Sequence, residues 1–384
     1  MRIGLIAPPW VPVPPPAYGG TEAVVDNLAR GLTAAGHEVT LFTVGDSTCP
    51  VDRLHRYPGA VAPMGAVAYE LAHALSAYEA LSDVDVIHDN TLAGPLLARA
   101  HRAGPPLAVT HHGPFDEDMR HLFAEAARHA AVVAISYSQA RRAGGIPVAA
   151  VIHHGVDTDA YRPGPGDGGY LLFLGRMCAD KGVHHAVRVA HRAGRRLVLV
   201  TKMREPAEEE YFHREIRPLL GPLDEVIIEA GAPERMHLLR HAEALINPIC
   251  WPEPFGLVMA EALASGTPVL AFPNGAAPEI VEHGRTGFLC ADEDAMVAAL
   301  PGVPALDRAD CRLAAEQRFG LQRMAHDHER LYRRLVATRE RQPVRSARGL
   351  GQPQPIYRSP RLPDSGAIRR PGSSSPSGPT TRGR

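Results

Sequence analysis

The chain has 384 residues, with 41 lysines and arginines against 42 aspartates and glutamates, so its formal charge of -1 shows no global excess that would point to a polyanionic partner. Hydrophobic residues make up 45% of it, enough for two cores, which excludes collagen-like and wholly disordered classes for the body. The charge is unevenly spread: residues 1–160 carry 10 basic and 16 acidic residues, residues 161–341 carry 23 and 25, and residues 342–384 carry 8 and 1. Only two of the bases are lysines, Lys181 and Lys202. The five cysteines are odd in number, far apart and lack a Cys-x-x-Cys pair, which argues against a disulfide framework or zinc knuckle and for a reducing, cytoplasmic setting. The first apolar run ends at Pro8-Pro9, too short for a signal-peptide core, and no stretch approaches the ~20 apolar residues of a spanning helix.

In chain order, residues 2–7 read as a buried strand, followed by a proline-rich loop to Pro16 and the tetrapeptide Tyr18-Gly19-Gly20-Thr21. Ala23, Val24, Leu28 and Leu32 then recur at helical spacing, Gly36 stands where a helix-ending glycine belongs, and 38–44 is a second strand. Strand, glycine loop, helix and strand make a βαβ unit, the seed of a parallel sheet. Further apolar runs at 84–88, 107–111, 132–136 and 149–153 continue it. Gly164-Pro165-Gly166-Asp167-Gly168-Gly169 reads as a linker, after which the pattern restarts with strands at 170–174, 196–200, 225–228, 244–247 and 268–271. Two such halves predict an α/β protein of two Rossmann-like doubly wound domains facing a central cleft, and ligands of open α/β sheets bind at the carboxyl ends of the strands. The expected divisions are 1–160, 161–310, a helical segment 311–341 read as part of one long helix over 309–340, and a disordered Pro/Ser/Gly/Arg-rich tail 342–384. In the long helix Leu313, Phe319, Met324, Leu331, Tyr332 and Leu335 are expected to point inward.

Two constellations carry chemistry. In the segment from Trp251 to Val269, Pro254 disfavours a helical Glu253, while 256–264 can be helical and Gly266 ends that helix. Glu253 is expected in a loop at the helix N-terminus with Glu261 two turns on, a spacing suited to two ends of one extended ligand. The backbone N–H groups of Phe255, Gly256, Leu257 and Val258 then offer an anion site between the carboxylates. In Gly175-Arg176-Met177-Cys178-Ala179-Asp180-Lys181-Gly182, a strand end leading into a loop and helix start, the planar fork of Arg176 and the compact charge of Lys181 suit adjacent phosphates. Lys202, at the end of another strand of the same half, is expected to face the same cleft.

These segments resemble glycosyltransferase family 4, nucleotide-sugar-dependent enzymes of the GT-B fold. Gly175-Arg176 with Lys181-Gly182 is similar to the family's Gly-Arg-(x)4-Lys-Gly diphosphate site, and Glu253 with Glu261 to its Glu-(x)7-Glu motif. Tyr18-Gly19-Gly20, Gly36-His37-Glu38-Val39, His154-Gly155-Val156-Asp157, Pro278-Glu279-Ile280-Val281 and Gly287-Phe288-Leu289 extend the likeness in family order. The resemblance implies that Arg176 and Lys181 bind the donor diphosphate and stabilise the leaving nucleotide, that Glu261 holds the ribose and Glu253 the transferred sugar, and that Gly20, beside Gly19, lets backbone approach a phosphate. It places His112, in Thr110-His111-His112-Gly113, near the sugar. It further implies transfer of a hexosyl unit from a UDP-, GDP- or ADP-sugar to a hydroxyl acceptor, with retained anomeric configuration, without a metal and without a cofactor. The rival readings are a GT-B epimerase or phosphorylase and a non-catalytic nucleotide-sugar binding protein.

Other signals are weaker. Asp83-Val84-Asp85 reads as solvated acids, and the adjacent pairs His111-His112 and His153-His154 make no ready chelate because neighbouring strand side chains face opposite ways. No Gly-x-Gly-x-x-Gly follows the first strand, and Ser136 and Ser138 sit in no nucleophile elbow. No nucleic-acid partner is expected. The acidic balance of 1–160 does not favour the membrane docking through a basic patch that many family members use.

Overall fold

The computed structural model describes residues 1–340 apart from 18, 102 and 103. The tail at 342–384 and Tyr18 therefore lie outside the described residues. Seven parallel strands form the first sheet: β1 (Arg2–Ile6), β2 (Glu38–Thr43), β3 (Asp52–His55), β4 (Val86–Asp89), β5 (Leu107–Thr110), β6 (Ala131–Ala134) and β7 (Val148–Val151), in the order β3-β2-β1-β4-β5-β6-β7. Helices α1 (Gly20–Ala34), α2 (Val67–Ala80), α3 (Glu117–Ala126) and α4 (Tyr137–Arg142) connect them. The second sheet has six: β8 (Tyr170–Arg176), β9 (Arg196–Lys202), β10 (Glu225–Ile228), β11 (Ala244–Asn247), β12 (Val269–Ala271) and β13 (Gly287–Leu289), in the order β10-β9-β8-β11-β12-β13. Its helices are α5 (Val183–Arg192), α6 (Pro206–Tyr211), α7 (Ala232–His241), α8 (Leu257–Ala264), α9 (Ala277–Ile280) and α10 (Glu293–Ala299), and the chain closes with α11 (Arg308–Phe319) and α12 (Leu321–Glu340).

Both sheets are covered on both faces, which is why their central strands read as unbroken apolar runs. Ile3, Leu5 and Ile6 of β1 and Leu171, Leu172 and Phe173 of β8 are buried. Two strands escape sequence patterning: β3, a fully exposed edge strand of Asp, Arg, Leu and His, and β13, only three residues long. A polar edge of this kind resists pairing with other chains, so its sequence carries no apolar signal. Asp83 is exposed, as expected, and the partly exposed Asp85 is in addition paired. Its carboxylate accepts the backbone N–H of Arg2 at 2.8 Å and the Arg2 guanidinium at 3.1 Å, tying β1 to the approach of β4.

The expected single helix over 309–340 is broken at Gly320. There Val156 pairs in parallel with Gly320, its N–H donating to the Phe319 carbonyl at 2.7 Å while the Leu321 N–H donates to the Val156 carbonyl at 3.2 Å. This pairing holds Gly320 extended and stops α11. The two helices serve different cores: Cys311, Ala315 and Phe319 of α11 join the core of the second sheet around α8, whereas Met324, Ala325, Leu331 and Tyr332 of α12 pack with α1 and β1 of the first. Leu313, expected inward, is exposed. Among the described residues no helix is long and apolar enough to cross a membrane.

A further tie joins the halves. Glu279, at the start of α9, accepts the backbone N–H groups of Tyr137 and Ser138 at the N-terminus of α4 at 2.8 and 2.6 Å, and lies 2.8 Å from His153 Nε2. A carboxylate placed on the unpaired N–H groups of a helix start is favoured by both hydrogen bonding and the helix dipole.

Candidate functional site

The carboxyl ends of the two sheets face one cavity of about 200 Å³. On the second-sheet side, β8 runs out through Gly175 and a short turn to Lys181. Gly182 ends the turn at φ +72°, where a Cβ would lie 1.9 Å from the Pro248 carbonyl oxygen, so only glycine lets the two loops touch. The Cys250 N–H donates to the Asp180 carbonyl at 2.8 Å and locks the same contact. Lys181 is thereby delivered to Glu253, whose carboxylate accepts its ammonium, with the Trp251 ring 5.3 Å away on another side. Glu253 is itself pinned, because its carbonyl accepts the Ala276 N–H at 3.0 Å.

Helix α8 starts from Gly256, left-handed at φ +89° and without a side-chain cap, so the first-turn N–H groups of Leu257 and Val258 are left for a ligand. Glu261 lies one turn into the helix and lines the cavity. Burial pushes its carboxyl above the ordinary range, opposed by the charge of Arg235 and by the Tyr161 hydroxyl, which donates to Glu261 Oε1 at 2.8 Å. Arg235, from α7, also donates to the carbonyls of Ala230 at 2.9 Å and, across the cleft, Ala17 at 3.3 Å. Lys202, the last residue of β9, completes the positive wall.

The first-sheet wall is neutral. Gly19 and Gly20 open α1 at the rim. His112 lines the cavity and its Nε2 donates to Asn90 Oδ1 at 3.1 Å, the assignment required because Asn90 Nδ2 donates to the Ile6 carbonyl at 3.2 Å. Its Nδ1 is buried without a hydrogen-bond partner among the described residues. Burial, with smaller contributions from His111 and His328, lowers the His112 pKa to about 3. His154 stacks on it with ring centroids 5.2 Å apart and is likewise held neutral by burial. Glu22, on α1, is pushed up to about 7 by burial, and the positive charge of Lys202 across the cleft acts in the opposite direction.

The cavity thus gathers Gly19, Gly20, His112, Lys181, Lys202, Glu253, Phe255, Gly256, Leu257, Val258 and Glu261. Arg176 is the exception. It ends β8 opposite Lys202, but its guanidinium lies 3.8 Å from the buried Glu208 carboxylate rather than on the cavity wall. Of the doubled histidines, His111 turns away, with Nε2 2.9 Å from the Pro114 carbonyl and its ring against Phe115 and Phe123. Sequence reasoning missed Tyr161, Arg235, Asn90 and Gly275. The last is the one with a signal: a glycine just before the Pro278-Glu279 motif, at φ +60°, where a Cβ would lie 2.2 Å from the Glu253 carbonyl oxygen.

Comparison with known proteins agrees with this architecture. Residues 18–160 match the sequence model of Glycosyltransferase Family 4 and residues 168–302 that of Glycosyl transferases group 1. The chain belongs to these GT-B glycosyltransferases. Among solved structures, a glycosyltransferase involved in avilamycin A biosynthesis is similar with a TM-score of 0.67 at 28% identity, over 88% of this chain and 98% of that one. Anabaena HepE, solved in complex with UDP and glucose, shares the fold with a TM-score of 0.69 at 20% identity, over 86% and 98% of the two chains. Glycogen synthase of Mycobacterium tuberculosis is 32% identical over 233 residues, covering 55% of this chain and 52% of its own, so the chain spans about half the length of that curated relative.

Proposed function

We propose that this protein transfers a hexosyl unit from a nucleoside diphosphate sugar to an acceptor hydroxyl, with retention of anomeric configuration and without a metal. The observation that carries the reading is the convergence of Lys181, Lys202, Glu253, Glu261 and the first turn of α8 on one cavity that His112 enters from the other sheet. A diphosphate across that helix start meets N–H donors and two ammonium groups at once, and such preorganised charge stabilises the negative charge that builds on a departing nucleotide. Arg176 joins by exchanging Glu208 for phosphate oxygens, which its partly exposed side chain and weak 3.8 Å contact permit. Glu261 accepts from the ribose hydroxyls through the carboxylate oxygen that Tyr161 leaves open. Glu253, released from Lys181 as the ammonium turns to phosphate, takes the hydroxyls of the sugar. Neutral His112 presents its bare Nδ1 as an acceptor for a sugar or acceptor hydroxyl. In this reading residues 1–160 hold the acceptor, residues 161–310 bind the donor and 311–341 close the fold. Anabaena HepE is also solved in complex with UDP-glucose, which supports a nucleotide-sugar donor, and the five free cysteines fit a reducing, cytoplasmic setting.

The test is a screen of UDP-, GDP- and ADP-sugars for binding and slow hydrolysis, followed by Lys181→Ala and Glu261→Ala in the same assay. Both variants should keep the native circular dichroism spectrum and lose sugar-dependent nucleotide release. Full activity in either one sinks the site assignment, and conversion of the donor's sugar to its epimer without any acceptor would reassign the chain as an epimerase.

A further inference from the structure

Where the chain passes between the two sheets, a second cavity of about 530 Å³ opens away from the cleft. Arg323, Asp327, Arg330 and Arg334 line it from α12, at intervals of four, three and four that place them on one helix face. Arg318 enters from α11, His153 from the end of β7 and Tyr137 from the start of α4. His153 and His154 are neighbours in an extended segment and divide accordingly, His154 to the cleft and His153 to this pocket.

The charges here do not balance. Four arginines face the single lining carboxylate, Asp327. Asp327 serves two of them, at 3.0 Å from Arg323 and 2.6 Å from Arg330. Arg318 is engaged by Glu282 at 2.5 Å, and Arg323 is anchored on the carbonyls of His153 and His154 at 2.8 and 3.0 Å. Arg334 makes no ion pair among the described residues, and reaches only the Ala149 carbonyl at 3.4 Å. In a chain whose formal charge is -1, and whose first 160 residues are acidic, this concentration is not a sample of a generally basic surface. Three guanidinium forks on one face of α12 and a fourth from α11, two anchored and two exposed, match the oxygens of a tetrahedral phosphate.

We propose that this pocket is a second ligand site, separate from the donor cleft, for a small phosphate-bearing anion. Arg330 and Arg334 supply the exposed forks, and the anchored Arg323 and Arg318 the inner wall. Its place gives it leverage. An anion bound there ties α12 to the end of β7 and to α4, beside the Glu279 contact that joins the two halves.

Titration calorimetry on the full chain tests this, using inorganic phosphate and glycerol 3-phosphate against a chloride background of matched ionic strength. Saturable binding is expected, weakened at least tenfold in an Arg330→Gln/Arg334→Gln double variant and unchanged in Lys181→Ala. Both replaced arginines are exposed, so the double variant should keep the native circular dichroism spectrum and bind donor normally. Tighter binding of glycerol 3-phosphate would assign the site to an organic phosphate, and equal or tighter binding of phosphate to the inorganic ion. Absence of saturable binding, equal binding in the double variant, or a loss in Lys181→Ala instead would each overturn the proposal, the last by placing the anion in the donor cleft.

Discussion

The two walls of the cleft are built on opposite electrostatic plans from the same βα units. The second-sheet wall concentrates Lys181, Lys202 and Arg235 around a helix start, beside the carboxylates of Glu253 and Glu261. The first-sheet wall is lined by histidines kept uncharged. His112 and His154 face the cavity, and His88 and His328 lie behind them around a small internal space. A charged wall suits a diphosphate, and a neutral hydrogen-bonding wall suits hydroxyl groups, which a second set of fixed charges would only compete for. One fold thus handles charge in two ways, by pairing it on one wall, where Lys181 meets Glu253, and by suppressing it through burial on the other, where His112 and His154 stay neutral.

The largest effect should come from attacking the charged wall. Lys181→Ala is expected to reduce donor turnover about 100- to 1000-fold, the scale of losing one preorganised charge-stabilising group, with kcat falling more than the donor affinity in steady-state kinetics. If the loss were confined to donor affinity, Lys181 would be a binding group alone and the comparison would blur.

The neutral wall should break with acid. Burial lowers the pKa of His112 to about 3 and of His328 to about 4, and takes His88 and His154 well below the ordinary value. Unfolded histidines bind protons from about pH 6.5 downward, while the folded ones stay neutral, so the unfolded state takes up more protons and stability falls with falling pH. The contribution is complete above about pH 6.5 and declines toward the folded values near 3 to 4. Thermal melts from pH 8 to pH 4.5 should show this decline, and it should shrink in His328→Gln. A melting temperature flat across that range would remove the neutral-wall argument.

Two smaller changes sharpen the picture. Gly182→Ala forces a side chain into left-handed backbone against the Pro248 carbonyl, at about 1–2 kcal/mol for the conformation alone, and should lower the melting temperature by several degrees as well as displacing Lys181. Tyr161→Phe removes one hydrogen bond to Glu261, and a donor KM raised about 5- to 10-fold with kcat near normal is expected from the ~1 kcal/mol such a bond contributes. A fall in kcat with unchanged KM would place Tyr161 elsewhere in the reaction.

Much of the charged wall was legible in the chain because it is local. Gly175 to Gly182 and Glu253 to Glu261 each lie within one strand-loop-helix turn, where glycine, proline and charge spacing leave a local signature even though contacts such as Gly182 with Pro248 complete the geometry. The strands of both sheets were legible for the same reason, since burial on two faces writes an apolar run. The failures are equally physical. The helix over 309–340 has helical periodicity throughout, and only the pairing of Gly320 with Val156, distant in sequence, interrupts it. The 3.8 Å approach of Arg176 to Glu208 was equally invisible, because no spacing rule connects the two residues.

The sequence by itself determined the βα architecture, the family and most of the residues that line the charged wall, because those depend on short-range patterns of burial, turn geometry and charge. Only the tertiary structure decided that His111 turns away from the cleft to Pro114, that Asn90 sets the tautomer of His112, that the Tyr161 hydroxyl holds Glu261, and that four arginines gather behind the crossover. Most of these join residues far apart in the chain, and such contacts are settled by which surfaces the two sheets and α12 bury against one another.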